Sequence, residues 1–189
     1  VTLTAPNTNT DRTITLPDST GSILMSDGDG SQLTNLPGGG KVLQVVNYQT
    51  GAVATGTTAI PLDDTIPQNT EGDEYMTLAI TPVSATSRLE IKVVAQLQTG
   101  TADNVIISAL FQDTTANAIA TSKAFATSAR IEGGQTIIHN MVAGTTSATT
   151  FKFRAGGNVS ATITFNGRSS GRNFGGTMAS SITITEYEV

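Results

Sequence analysis

The sequence predicts an all-β protein, in which a segment of very short strands precedes an antiparallel β-sandwich resembling a jelly roll. Threonine, which favours pleated and half-buried surfaces, occupies roughly one position in six. The 19 glycines indicate many turns. Apolar and polar residues also alternate in short runs that end at proline, glycine, asparagine or aspartate. We therefore expect many strands and little helix.

Residues 1–36 form the segment of short strands. Each run offers only one or two large apolar side chains, whereas an independently stable sheet needs three or more strands with a shared apolar face. One protomer cannot bury this segment alone, so we expect an intertwined oligomeric stalk. The predicted short strands are residues 1–4, 13–16 and 23–25, which end at Pro6, at Pro17 and at the turn residues 26–30.

Residues 37–40 mark a boundary, because a proline followed by three glycines cannot hold regular structure. The sequence leaves open whether they are a hinge between stalk and tip or a plain connecting loop. The remaining residues, 41–189, are numerous enough to bury one sizeable core.

Strand signals in residues 41–189 follow one another at roughly the 8–12-residue spacing of a sandwich. The clearest strand is residues 88–99, and its predicted inward side chains are Leu89, Ile91, Val93, Ala95 and Leu97. Residues 116–130 are rich in alanine and ambiguous, but the β-branched Thr121 and Thr127 favour a strand. The other predicted strands are residues 41–50, 57–62, 74–81, 104–112, 135–143, 149–155, 161–165 and 180–189.

Two phrases of the sequence resemble a known family. TAPNTNTDRTITLPDSTGSIL followed by SDGDGSQLTNLPGGG is similar to the repeat that precedes the distal domain in many bacteriophage tail-fibre and appendage proteins. The final residues, GRNFGGTMASSITITEYEV, resemble the closing strand of such distal domains. The resemblance implies a trimeric virion fibre that joins other tail or fibre proteins and ends in a β-sandwich tip. It also implies that the tip meets the host surface.

Composition argues against several classes of partner. The net charge of −5 is spread thinly, whereas nucleic-acid binding needs a basic stripe. The basic pairs Lys152/Arg154 and Arg168/Arg172 fit a solvated face better than a polyanion site. No apolar run approaches the ~20 residues that span a bilayer. Because cysteine is absent, we expect trimer burial rather than disulfides to stabilise the protein outside a cell.

The residues for catalysis or metal binding are sparse, and we expect no enzyme, no cofactor and no metal site. The single histidine, His139, fits a strand position near the sheet or trimer seam better than a general base. The acidic residues at 63–64 and 71–74 resemble the paired carboxylates of a glycosidase, and they also resemble ligands for Ca²⁺. Solvated acidic residues are common in loops, however, and we expect these to be solvated. Residues 27–30, Asp-Gly-Asp-Gly, lack the further acids of an EF-hand and indicate a tight turn.

Loop surface is the remaining place for function. Residues 166–176 are polar and glycine-rich, and loops on a rigid sandwich often carry recognition. In one interpretation this loop binds a host-cell glycan or an outer-membrane protein through Arg168, Arg172, Asn173 and Phe174. In the other it is a long hairpin with Phe174 in the core. Residues 100–104 and 113–117 are further candidate tip loops.

Two functions stay open at this point. The first is the distal part of a trimeric tail fibre that binds a host-cell receptor. The second is a purely structural virion appendage, such as a head fibre, a decoration or a spacer, without a ligand of its own. Both place the protein in the virion, and the stalk repeat does not discriminate between them.

Overall fold

A computed structural model describes residues 40–127 and 132–189 of the chain. The predicted stalk, residues 1–36, and residues 37–39 of the predicted boundary lie outside the described residues. Within them there are twelve strands, one short 3-10 turn and no α-helix. This confirms the all-β class for the described part of the chain.

The strands agree closely with those predicted from alternation. The strand predicted at residues 88–99 has those bounds, and the ambiguous alanine-rich segment contains a strand at Ala120–Ala126. The strands are β1 Val42–Thr50, β2 Ala54–Gly56, β3 Asp73–Ile80, β4 Arg88–Thr99, β5 Asn104–Gln112, β6 Ala120–Ala126, β7 Glu132–Val142, β8 Thr149–Gly157, β9 Ile163–Phe165, β10 Gly167–Arg168, β11 Gly171–Arg172 and β12 Ser180–Tyr187.

The strands form two main antiparallel sheets. In the first, β1, β12, β4 and β7 lie side by side, and the short strands β9 and β2 continue beside β4 beyond the start of β12. In the second, the order is β3, β8, β5 and β6. The strands β10 and β11 make a separate two-stranded ribbon.

One hydrophobic core contains side chains from both main sheets. The five residues of β4 predicted to face inward are all buried, and this confirms the alternation argument. The second sheet contributes large side chains such as Leu110, Phe151 and Phe153, each at most 1% exposed. Burying such side chains supplies the main favourable term in folding.

The strand predicted at residues 57–62 is wrong. The structure has β2 at Ala54–Gly56 instead, and the following segment lies as irregular chain over the outer face of β5. The N–H of Ile60 donates to the Gly157 carbonyl at 2.9 Å, and its fully buried side chain packs in a second cluster with Ile107 and Phe111. Its apolar residues therefore cover a sheet rather than extend one.

A buried carboxylate fixes the connection between β3 and β4. Glu186, on β12, is fully buried and accepts hydrogen bonds from the Gln44 side chain at 2.6 Å and the Ser87 hydroxyl at 2.5 Å. It also accepts from the backbone N–H groups of Val83, at 2.9 and 3.0 Å, and Ser84, at 3.2 Å. Burial acts to raise the pKa of Glu186, but these hydrogen bonds outweigh it and hold the pKa below its ordinary value of 4.5.

The strand pairing defines two ends of the described domain. At the proximal end, where β1 begins, Tyr187 lies opposite Val42 on one side and Arg88 on the other. At the distal end, where β1 finishes, Thr50 lies opposite Ser180. Nine extended residues span about 30 Å, so the two ends are far apart.

Candidate functional site

The loop at residues 166–176 begins with a buried asparagine at the distal end. Asn166 follows β9, is fully buried and has a φ of 53°, which asparagine tolerates better than most residues. Its amide nitrogen donates to the carbonyls of Thr50 at 2.7 Å and Ala52 at 3.2 Å. Its amide oxygen accepts from the Ser180 hydroxyl at 2.6 Å. Asn166 thus ties the loop to the ends of β1 and β12.

The next part of the loop is a tight hairpin rather than irregular chain. The strands β10 and β11 flank Ser169 and Ser170, whose φ angles of 50° and 64° indicate a type I′ turn. That turn usually takes asparagine and glycine, so two serines are a strained choice. The N–H groups of Ser169 and Ser170 donate to Gln98 Oε1 at 2.9 Å and Thr164 Oγ1 at 3.1 Å. These hydrogen bonds hold the strained turn against the sheet.

The loop then makes a 3-10 turn over Phe174–Gly176. Phe174 has a φ of 48°, unusual for a bulky residue, and its side chain is 76% exposed. The interpretation that places Phe174 in the core is therefore wrong. The turn packs tightly against Gly51, in the segment that follows β1, because a Cβ on Gly51 would lie 1.9 Å from the Gly176 carbonyl oxygen. The backbone of the turn is thus packed while its aromatic ring faces solvent.

The two arginines of the loop lie on opposite faces of the hairpin. Arg172 pairs with Gly167 and Arg168 with Gly171, and successive residues of a strand point to opposite faces. Arg172 lies beside the 3-10 turn, because a Cβ on Gly176 would be 3.4 Å from Arg172 Cδ and 3.7 Å from one guanidinium nitrogen. Within residues 40–127 and 132–189, Arg172 forms no salt bridge. The structure therefore brings Arg172, rather than Arg168, to the turn that carries Phe174.

Asn173 connects the hairpin to the turn. Its backbone is extended, its side chain is half-buried, and its carbonyl accepts the Gly176 N–H at 3.0 Å. The side chain does not cap the turn, so its amide is available to a ligand. Of the predicted residues, Arg172 and Phe174 are exposed, and Asn173 between them is half-buried.

Of the two further candidate loops, one lies at the same end as residues 166–176. The loop after β4 is tied to the start of β9 by a hydrogen bond from Gly100 N–H to the Thr162 carbonyl at 2.8 Å. Asn104 and Asn158 hold the neighbouring segments of the chain together, because the Asn158 N–H donates to Asn104 Oδ1 at 3.1 Å. The loop at residues 113–117 lies at the proximal end, where Asp113 contacts Thr149 and Thr150. It is not part of the same surface.

The residues weighed for catalysis and metal binding are dispersed. His139 lies on β7 in the same strand face as the buried Ile137, and burial lowers its pKa. Asp63 accepts hydrogen bonds from Thr65, and Asp73 accepts from Thr58. Across the described ranges, no group of three or more His, Asp or Glu is placed to hold a metal ion. The same part of the chain has no helix long and apolar enough to cross a membrane.

Sequence reasoning missed the anchors of the loop. The sequence places Asn166 in the candidate recognition loop and indicates no role for Gln98, yet both are fully buried. The signal for Asn166 was its position directly after a strand and before Gly167, where asparagine often adopts positive φ. Gln98 gave no comparable signal, because its partner Ser169 is 71 residues away.

Comparison with known proteins leaves the family open. No protein-family model matches the sequence, and no curated protein matches it. Among solved structures, a CBM4 structure is similar at 15% identity and a TM-score of 0.33, over 69% of this chain and 76% of that one.

Two viral proteins are also among the similar structures. The infectious bursal disease virus VP2 subviral particle has 10% identity and a TM-score of 0.37, over 78% of this chain and 42% of that one. The enzymatically active domain of bacteriophage CBA120 tailspike protein 4 has 16% identity and a TM-score of 0.27, over 65% of this chain and 18% of that one. The chain thus spans less than half the length of either viral protein.

Proposed function

We propose that this protein is the distal part of a trimeric bacteriophage fibre, and that its 166–176 loop contacts the host-cell surface. The observation that carries the proposal is the exposed Phe174 on a firmly anchored loop at the distal end. The chain enters the described domain at the opposite end, through β1. In a fibre tip, the surface that contacts the host must lie far from the point where the shaft is attached, and this arrangement meets that condition.

The strand order supports a place in a virion. The two sheets have the strand orders β1, β12, β4, β7 and β3, β8, β5, β6, which is the strand order of a jelly roll. This architecture is common in viral capsid and lectin domains. Because folds host many functions, the functional argument rests on the loop rather than on the architecture.

The rigidity of the loop supports a binding role. Asn166, Gln98 and Thr164 hold it through side-chain hydrogen bonds, and its backbone keeps positive φ at Ser169, Ser170 and Phe174. Strain of this kind persists only where the surroundings fix it, and it concentrates at functional sites. A loop ordered before binding loses less conformational entropy when it meets its ligand.

We expect Phe174→Ala to weaken adsorption to host cells markedly, with thermal stability near that of the wild type. Removing a good aromatic anchor from an interface costs about 2 kcal/mol, which is roughly thirtyfold in affinity. The matched control is Val142→Ala, since Val142 is 61% exposed but lies opposite Arg88 at the proximal end. The measurement is cell binding of the labelled full chain, together with its melting temperature.

The opposite pattern would contradict the proposal. If Phe174→Ala lowers the melting temperature while adsorption per folded protein is unchanged, the ring has a structural role. If the wild-type protein binds no host cell at all, the alternative of a structural appendage without a ligand is favoured.

We also expect the full chain to sediment as a homotrimer. The reason is the shortage of apolar side chains in residues 1–36, which one protomer cannot assemble into a core. Analytical ultracentrifugation over a range of concentrations tests it. A stable, folded monomer of the 189-residue chain would exclude the trimeric fibre.

A further inference from the structure

The charge of the 166–176 loop identifies the class of ligand that it fits. The whole chain carries 15 acidic residues against ten lysines and arginines. Between residues 155 and 185, however, Arg168 and Arg172 are the only charged residues. In the sequence, the loop is therefore a positive segment of an acidic protein, and positive segments attract negative charge.

Arg172 is the arginine that lies against Gly176, at the end of the 3-10 turn that begins with Phe174, and we expect it to meet the negative charge of a ligand. Arg172 is exposed and lies over Gly176, and no carboxylate in the described ranges pairs with its guanidinium. Arg154, by contrast, is used inside the domain, where it pairs with Glu74 at 3.6 Å and donates to the Gly72 carbonyl at 2.7 Å. An exposed guanidinium presents a planar fork that matches a carboxylate or a phosphate.

The ring of Phe174 supplies the second contact. It makes no aromatic contact with another ring in the described part of the chain, and most of its surface is exposed. An aromatic face binds apolar C–H surface, and a sugar ring offers such a surface on one side together with hydroxyl groups at its edge. The half-buried amide of Asn173, between Arg172 and Phe174, can donate to or accept from those hydroxyls.

We propose that the ligand of this loop is a saccharide carrying a carboxylate or phosphate group. Its ring stacks on Phe174 and its anionic group pairs with Arg172. This inference rests on the proposed function of the loop. The loop has eleven residues, whereas a stable protein–protein interface involves about 20–30 residues on each side. A saccharide therefore fits this surface better than the extracellular face of an outer-membrane protein.

The test is binding of the labelled full chain to a bacterial-glycan array with carboxylate-bearing, phosphate-bearing and neutral saccharides. We expect every bound saccharide to be anionic, and the two anionic groups of spots distinguish carboxylate from phosphate. Binding should weaken as salt rises, because exposed charges are screened. Arg172→Gln should reduce binding about tenfold or more, and Arg172→Lys should restore part of it, since lysine keeps the charge but lacks the fork.

Arg88→Gln is the matched control, because it removes the same charge from the exposed surface at the proximal end and should leave binding unchanged. Binding to neutral saccharides, or equal losses in Arg172→Gln and Arg88→Gln, would overturn the inference. So would an array without any bound saccharide. If Phe174→Ala still weakens host adsorption in those cases, the receptor-contact function stands and an outer-membrane protein becomes the favoured ligand. If Phe174→Ala has no effect either, both proposals fail.

Discussion

Replacing Glu186 with alanine is expected to lower the free energy of unfolding by about 3 kcal/mol. The carboxylate accepts hydrogen bonds from the backbone N–H groups of Val83 and Ser84 and from the side chains of Gln44 and Ser87. Alanine would leave these donors without a partner beside a cavity. The loss corresponds to roughly 6–12 °C in melting temperature for a domain of this size. Glu188→Ala is the matched control, because it removes the same charge from an exposed position two residues away.

The Glu186 contribution should also depend on pH. Its pKa is lower in the folded protein than in the unfolded chain, so the unfolded chain binds the proton first as the pH falls. The stabilisation is therefore complete well above the ordinary value of 4.5 and declines as the pH falls through the folded-state pKa. Glu186→Gln, which keeps the shape without the charge, should be less stable than the wild type at pH 7. This gap should narrow in acid.

Urea unfolding of both proteins at pH 7 and below pH 4 measures this gap. A Glu186→Gln protein as stable as the wild type at pH 7 would show that the charge is not needed. A stability gap that does not change with pH would show that the geometry of the hydrogen bonds, rather than the ionisation, is responsible.

The second large effect is expected from Asn166→Ala, at about 3 kcal/mol of stability with weaker host adsorption. Alanine removes three side-chain hydrogen bonds, to Thr50, Ala52 and Ser180. It also places an ordinary residue at a φ of 53°, which costs about 1–2 kcal/mol. The loop would lose its connection to the ends of β1 and β12. Adsorption should therefore fall although Asn166 itself is buried.

Asn140→Ala is the matched control for Asn166, because it makes the same substitution at an exposed position of β7. Asn140→Ala should change neither the stability nor the host adsorption measurably. Thermal unfolding and cell binding of the full chain provide both measurements. An Asn166→Ala protein with wild-type adsorption per folded molecule would show that the contact surface lies elsewhere.

The strands were largely predictable from the sequence because alternation is a local property. In β4, the inward positions from Leu89 to Leu97 can be identified from their spacing alone. The strand predicted at residues 57–62 is wrong for a tertiary reason. Ile60 is buried because it lies across β5, and the residues adjacent to Ile60 in the sequence do not encode that contact. In β5 itself, both faces are buried for the same reason.

The candidate site shows the same division. The sequence by itself determined the all-β class of the described residues, most strand positions and the polar, basic character of residues 166–176. Only the tertiary structure decided that Phe174 is exposed, that Arg172 lies against the 3-10 turn at Gly176, and that residues 113–117 are at the other end. These facts depend on which strands pair and in what register they pair; the pairing of Thr50 with Ser180 is one example. Residue types can be identified from local sequence, but the meeting of distant segments is set by burial and hydrogen bonding across the whole domain.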